Sequence, residues 1–178
     1  MKIILISGKA ESGKDASALA MKKVLGDKGK DCAIIHYADF LKGFLKNAGL
    51  WNGVKDEIGR ATLRRFGTEV VRKNKPDTWV NMMVTLLEGV STAFDVILIP
   101  DTRFPNEIEV VKEKFGNDVI ALRVKRPGYE NHLTQEQRQH ISEVILDDYA
   151  FDGYINNDGT LNDLDEKVLR VLRDKGVI

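Results

Sequence analysis

Residues 3 to 15 read Ile3-Ile4-Leu5-Ile6-Ser7-Gly8-Lys9-Ala10-Glu11-Ser12-Gly13-Lys14-Asp15: an apolar run, a loop bounded by glycines, and the start of a helical pattern. Strand, glycine loop and helix in this order form the arrangement that wraps the phosphates of a nucleoside triphosphate. Gly8 and Gly13 let the backbone curl its N–H groups inward around phosphate oxygens, with Glu11 and Ser12 inside the same loop. Lys14 follows in register to reach the β and γ phosphates of ATP. Asp15 stands where Ser or Thr usually offers a hydroxyl to Mg²⁺; its carboxylate is also a hard oxygen ligand, and its negative charge makes the metal more necessary.

Outward from this loop, short apolar runs alternate with helical patterns. Strands are predicted at Ile3–Ser7, Cys32–His36, Val96–Pro100, Val119–Val124 and Tyr154–Ile155, and helices near 14–27, 39–48, 54–73, 77–90, 104–115 and 161–175. The last helix places Leu161, Leu164, Val168, Val171 and Leu172 on one face. Strands separated by helices imply an α/β protein of the P-loop NTPase type, with a five-stranded parallel sheet flanked by helices. The 178 residues suit one domain, 1–178, able to bury roughly 70% of its unfolded surface without staples.

Twenty-seven basic and twenty-seven acidic residues balance to zero without a long run of either sign, which speaks against a general nucleic-acid or membrane surface. Cys32 is the only cysteine, so no internal disulfide is expected; it reads as a small buried strand residue, and a reducing cytoplasm fits. The apolar stretch at the start is too short, and too soon broken by Lys9, Glu11 and Lys14, for a signal peptide or a membrane span.

In open parallel sheets ligands gather beyond the carboxyl ends of the strands, and charged clusters stand at several of them. Val96–Ile99 runs into Pro100-Asp101-Thr102-Arg103. Asp101 can hold Mg²⁺ or its waters, or simply cap a turn, and Arg103 can offset charge on a transferring phosphoryl group. Arg60 and Arg64 lie one helical turn apart, with Leu63, Phe66 and Val70 inward. Two guanidinium groups so placed can clamp a phosphate monoester or form a solvated basic face. Asp39, with Lys42 after it, reads equally as a helix N-cap and as a contact to the acceptor's sugar or base. The polar stretch 127–142, after Lys125 and Arg126, reads as a lid that excludes water during transfer. His36, His132 and His140 are scattered, and His36 at a strand end reads as core.

Together these motifs resemble the phage-type deoxynucleoside monophosphate kinases, a branch of the P-loop nucleoside monophosphate kinases. The resemblance runs over nearly the whole chain. It rests on Gly8 to Asp15, on Arg60 seven residues before Gly67-Thr68-Glu69, and on Asp77-Thr78-Trp79-Val80. Further matches are Pro100-Asp101-Thr102-Arg103, Arg126-Pro127-Gly128, His140-Ile141-Ser142-Glu143 and Asn157-Asp158-Gly159. An aspartate after the loop lysine is typical of that family.

The resemblance implies an NMP-kinase-like fold with a helical acceptor region around 38–90 and a lid around 127–142. Its implied activity is Mg²⁺-dependent transfer from ATP to a (deoxy)nucleoside monophosphate. It assigns Gly8, Glu11, Ser12, Gly13, Lys14 and Asp15 to the ATP phosphates, with Asp15 and Asp101 toward metal. Lys14, Arg103 and Arg126 then surround the transferring group, and Asp39, Lys42, Arg60 and Arg64 lie toward the acceptor. His140, Glu143 and Asn157 fall to the nucleobase and lid. Asp39 and Phe40 replace a glycine and proline often found there, and the long insertion of some members before the Arg60 helix is absent, so base specificity does not carry over. The implied partners are small-molecule nucleotides, with a homodimer left open. A phosphomevalonate-kinase-like enzyme shares Gly-Lys-Asp and Asp-Thr-Arg, and a non-catalytic nucleotide-binding module is a third reading; joint retention of Lys14, Asp101, Arg103 and Arg126 opposes the last.

Overall fold

A computed structural model describes residues 1–54 and 56–178. Five strands, β1 (Lys2–Ser7), β2 (Cys32–Ile34), β3 (Val96–Thr102), β4 (Val119–Lys125) and β5 (Gly153–Asn156), form one sheet in the order β2-β3-β1-β4-β5. Every pairing is parallel, with Ile4 of β1 opposite Leu98 on one side and Ile120 on the other.

The central position of β1 explains its unbroken apolar run, because a strand covered on both faces needs apolar side chains at every residue. Ile3 and Leu5 point into the layer formed by α2 (Tyr37–Asn47), α4 (Thr78–Gly89) and α5 (Pro105–Phe115). Ile4 and Ile6 point into the opposite layer, against Ala18, Met21 and Leu25 of α1 (Lys14–Asp27) and Leu164, Val168 and Leu172 of the C-terminal helix (Leu161–Asp174). All four β1 side chains are fully buried. Leu161 departs from the expected stripe: it follows the Thr160 N-cap as the first helical residue and stays exposed.

Three further boundaries differ from expectation. The helix expected from residue 39 begins at Tyr37, because the Asp101 carboxylate accepts the N–H groups of Tyr37 and Ala38, both at 2.9 Å. The helix expected over 54–73 begins as α3 (Glu57–Arg64), capped by Asp56, whose Oδ1 accepts the Gly59 N–H at 2.7 Å. Lys55, inside the expected span, lies outside the described residues. After Arg64 the chain continues as a π-helical stretch, Arg65–Arg72, a wider turn that is frequent at functional sites. Third, the segment expected as a lid carries two short helices at its end, Gln135–Arg138 and Ile141–Val144, capped by Thr134 and His140.

The connection leaving β1 runs toward the β2 edge of the sheet, whereas those leaving its neighbours β3 and β4 run toward the β5 edge, so the loop after β1 sits where the direction of connection reverses. Such a switch point is where parallel sheets bind ligands.

Candidate active site

The loop after β1 is held in shape by its glycines and by the chain around it. Gly8 has φ +152° and Gly13 φ +94°. A Cβ on Gly8 would come within 2.5 Å of the Val124 carbonyl oxygen, and one on Gly13 within 2.2 Å of Asn157 Nδ2. That Asn157 amide donates to the Ser12 carbonyl at 3.0 Å, so Asn157 braces the phosphate loop from the turn after β5. Gly13→Ala is therefore expected to lower the urea midpoint by an amount equivalent to about 2 kcal/mol, from backbone strain plus the clash. An unchanged midpoint for Gly13→Ala would show that the loop relaxes freely.

Lys14 opens α1 with its ammonium turned back into the loop, donating to the carbonyls of Gly8 at 2.9 Å and Lys9 at 2.8 Å. Burial, with Arg103 nearby, lowers its pKa to about 7. Glu11, at the loop's apex, is the one non-glycine residue with positive φ among the described residues. Its carboxylate accepts from Tyr129 Oη at 3.1 Å and the His132 main chain at 3.2 Å, and it contacts His132 Nδ1 at 2.9 Å. The phosphate loop and the 127–142 segment thus touch directly. The His132 bond, foremost, holds the Glu11 carboxyl below its ordinary pKa.

A cavity of about 720 Å³ opens beside the loop. Lys14 and Asp15 face it from one side, Asp101 and Arg103 from the end of β3, Arg60 and Arg64 from α3, and His140 and Glu143 from the end of the 127–142 segment. The structure thereby brings together most of the charged residues singled out in the sequence. A second cavity of about 300 Å³ adjoins it, sharing Arg64, Asp101 and Arg103, with Tyr37, Leu41, Leu63, Trp79 and Phe104 as apolar wall. A third, about 540 Å³, lies by β4, lined by Ser12, Arg126, Pro127, Tyr129 and Asn156 among others.

Several residues sit elsewhere than their sequence pattern suggested. Arg126 lines the third cavity, stacked 3.8 Å from the Tyr129 ring centre, and donates to the Glu11 carbonyl at 3.3 Å. Asp39 is the third residue of α2 rather than its N-cap, accepting the His36 N–H at 3.2 Å and pairing with Lys42 at 2.9 Å. Glu143 reaches the phosphate loop itself: its carboxylate accepts the Ala10 N–H at 2.8 Å and pairs with Arg103 Nη1. His140 caps the last short helix, Nδ1 lying 2.8 Å from Ser142 Oγ.

His36, read from sequence as core, is instead a half-buried site residue. Nε2 lies 3.1 Å from Asp15 Oδ1 and Nδ1 3.2 Å from Asp39 Oδ2. The Asp15 bond, foremost, raises its pKa. Sequence reasoning missed Arg72 and Glu107 altogether. Glu107 is 2% exposed, and burial, opposed by Arg72, pushes its carboxyl up to about 7. A carboxyl with a raised folded-state pKa binds its proton more tightly when folded. The stability this contributes is complete below the ordinary value near 4.5 and gone above about 7. Urea midpoints between pH 5 and 8 should therefore fall for the unaltered chain relative to Arg72→Met/Glu107→Gln, which removes both charges of the pair. Parallel curves would show that Glu107 keeps an ordinary pKa.

As for metal, Asp15 is the exposed carboxylate on the cavity rim, while Asp101 is partly buried with each oxygen already accepting one N–H. Burial raises the Asp101 pKa. Among the described residues no group of three or more His, Cys, Asp or Glu forms a cage. Mg²⁺ suits such a place, since it binds through one or two carboxylates together with substrate phosphates and waters.

A phosphate-wrapping loop at the switch point of a β2-β3-β1-β4-β5 parallel sheet, facing arginines from a helical flank, defines the P-loop kinase fold. Solved structures agree on the fold. APS kinase of Mycobacterium tuberculosis in complex with AMPPNP and APS superposes with TM-score 0.53 at 15% identity, covering 97% of each chain. Shikimate kinase of Aquifex aeolicus vf5 gives 0.57 at 13% identity, covering 99% of each. Residues 51–168 match the family model for deoxynucleotide monophosphate kinase, and the chain belongs to that family. The deoxynucleotide monophosphate kinase of Enterobacteria phage T4 is 28% identical over 153 residues, 84% of this chain and 58% of that protein. That of Escherichia phage RB69 is 29% identical over 117 residues, 64% and 44%. The chain spans about half the length of the curated relatives it matches. Among the described residues no helix is long and apolar enough to cross a membrane.

Proposed function

We propose that the chain transfers the γ-phosphoryl group of ATP to a (deoxy)nucleoside monophosphate, with Mg²⁺, giving the diphosphate. The observation that carries this reading is the 720 Å³ cavity, in which Lys14 of the phosphate loop and Arg60, Arg64 and Arg103 face one space. Two phosphate groups brought end to end need cations from both sides, and an acceptor that is already ionised needs no general base. The family of the chain and the P-loop kinase fold support the same chemistry.

Within this reading Gly8 to Asp15 hold the donor phosphates, Arg103 meets the transferring group, and Arg60 with Arg64 holds the acceptor phosphate. Asp15 on the rim and Asp101 at the end of β3 are the residues that would hold Mg²⁺ or its waters, and the ion would supply compensation for phosphate charge. Arg126, Pro127 and Tyr129 form the wall for the donor base, with 127–142 as its lid. The apolar cavity between Tyr37, Trp79 and Phe104 suits the acceptor's base. Cys32, its thiol pushed up to about 11 by burial, is an unreactive residue in keeping with a cytoplasmic enzyme.

The test is ADP release, followed by a coupled assay, across deoxynucleoside and ribonucleoside monophosphates and phosphomevalonate. Turnover of phosphomevalonate alone would overturn the nucleotide reading, and ATP binding without turnover of any acceptor would favour a binding module. Arg60→Ala separates the two phosphate sites. Loss of a bidentate charged contact should cut acceptor kcat/KM about tenfold or more while ATP-analogue affinity holds, and Arg60→Lys should recover only part. Equal weakening of both ligands in calorimetry would instead mark Arg60 as structural.

A further inference from the structure

Glu107 takes no part in the transfer described above, yet both of its carboxylate oxygens are engaged where the cavities meet β3. One oxygen accepts the main-chain N–H of Arg103 at 2.7 Å and of Phe104 at 3.1 Å. The other pairs with Arg72 Nη2 at 2.5 Å. Arg72 closes the π-helical stretch that continues from α3, the helix of Arg60 and Arg64. Its guanidinium lies 3.9 Å from the Phe104 ring centre and donates through Nη1 to Asn106 Oδ1 at 3.1 Å. A single carboxylate therefore ties the acceptor-side helical wall to the main chain of the arginine at the end of β3.

We propose that Arg72 and Glu107 are a positioning pair: they lock the helical wall that carries Arg60 and Arg64 onto the backbone of Arg103, so that acceptor placement and the transferring-group guanidinium are set together. The proposal rests on the reading of Arg103 given above.

Three observations carry it. Capping the first turn of α5 needs only an acceptor oxygen, which a glutamine also provides; holding the Arg72 guanidinium in place needs the charge. A buried ion pair is also a poor source of stability, because desolvating both partners offsets their attraction and apolar residues of the same size serve as well. What the pair does supply is a fixed geometry. Finally, the pair sits where a third element joins: Tyr37 Oη donates to the Glu107 carbonyl at 2.9 Å, while the Tyr37 N–H donates to Asp101. The start of α2, the end of β3, the start of α5 and the π-helical stretch thus meet around the 300 Å³ cavity.

Removing one partner alone leaves a buried charge and can unfold the chain, so the decisive variant is Arg72→Met/Glu107→Gln, which removes both charges and keeps volume. Circular dichroism establishes that it folds. The expected result is a fall of about tenfold or more in kcat/KM for the acceptor, with ATP-analogue affinity by calorimetry within about twofold of the unaltered chain. Added to Arg103→Ala, the double substitution should lower kcat by clearly less than it does in the unaltered chain, because part of its effect passes through Arg103. A folded double variant with unaltered acceptor kinetics, or one whose loss adds fully to that of Arg103→Ala, overturns the pair. If the unaltered chain turns over no acceptor, the kinase reading falls, and arginine side-chain NMR judges the pair. Arg103 guanidinium resonances that shift in the double variant while those of Arg123 stay fixed support it, and unmoved Arg103 resonances overturn it.

Discussion

Lys14→Met is expected to leave a folded protein whose phosphoryl transfer is slower by about a thousandfold, on the order of 4 kcal/mol of transition-state stabilisation. Both halves follow from how the side chain sits. Lys14 is 7% exposed and pays for its burial with a pKa lowered to about 7, so an apolar side chain of similar length relieves a desolvation penalty while giving up two hydrogen bonds to the Gly8 and Lys9 carbonyls. These terms oppose each other, and the melting temperature should move by only a few degrees. Charge developing on the transferred group finds no such compensation, because loop amides are dipoles and cannot replace a full positive charge. The checks are a thermal melt and the coupled assay on the same preparation. Near-normal turnover with an unchanged melt would mean that the donor phosphates lie elsewhere.

What the sequence made legible was what depends on neighbours along the chain. Ile3 to Ile6 announced a strand buried on both faces, and Gly8 and Gly13 sit at positive φ as the loop pattern requires. The remainder depended on residues brought together from afar. Asp101 stood out as an acid at a strand end, but its caps on Tyr37 and Ala38, which start α2 two residues early, exist only because β2 pairs beside β3. His36 reads as core if its strand runs to residue 36; β2 ends at Ile34, and the imidazole turns to Asp15. Arg126 and Arg103 look alike as strand-end arginines, yet β1 separates β3 from β4 in the sheet and puts them in different cavities. Glu107 was hidden most completely. Nothing local to Glu107 reveals that its partner comes from residue 72.

The same dependence on distant partners makes Arg103 the more demanding case. Arg103→Ala should lower kcat by about a thousandfold or more, the range for an arginine that meets a transferring phosphoryl group, with ATP-analogue affinity changed by less than about fivefold. Arg103→Lys should restore a part only, since an ammonium carries the charge without the planar fork. One competing cause has to be separated. Arg103 pairs with Glu143, whose carboxylate also accepts the Ala10 N–H of the phosphate loop, so truncating the arginine leaves an unneutralised anion beside the phosphates. Repulsion from that carboxylate would slow the reaction even if Arg103 never touched the transferring group. The double variant Arg103→Ala/Glu143→Gln distinguishes the two causes. If the loss comes from the missing guanidinium, kcat stays as low as in Arg103→Ala. If it comes from the exposed carboxylate, removing that charge restores most of the activity, and Arg103 is then a counter-ion to Glu143 rather than a group that acts on the phosphoryl transfer.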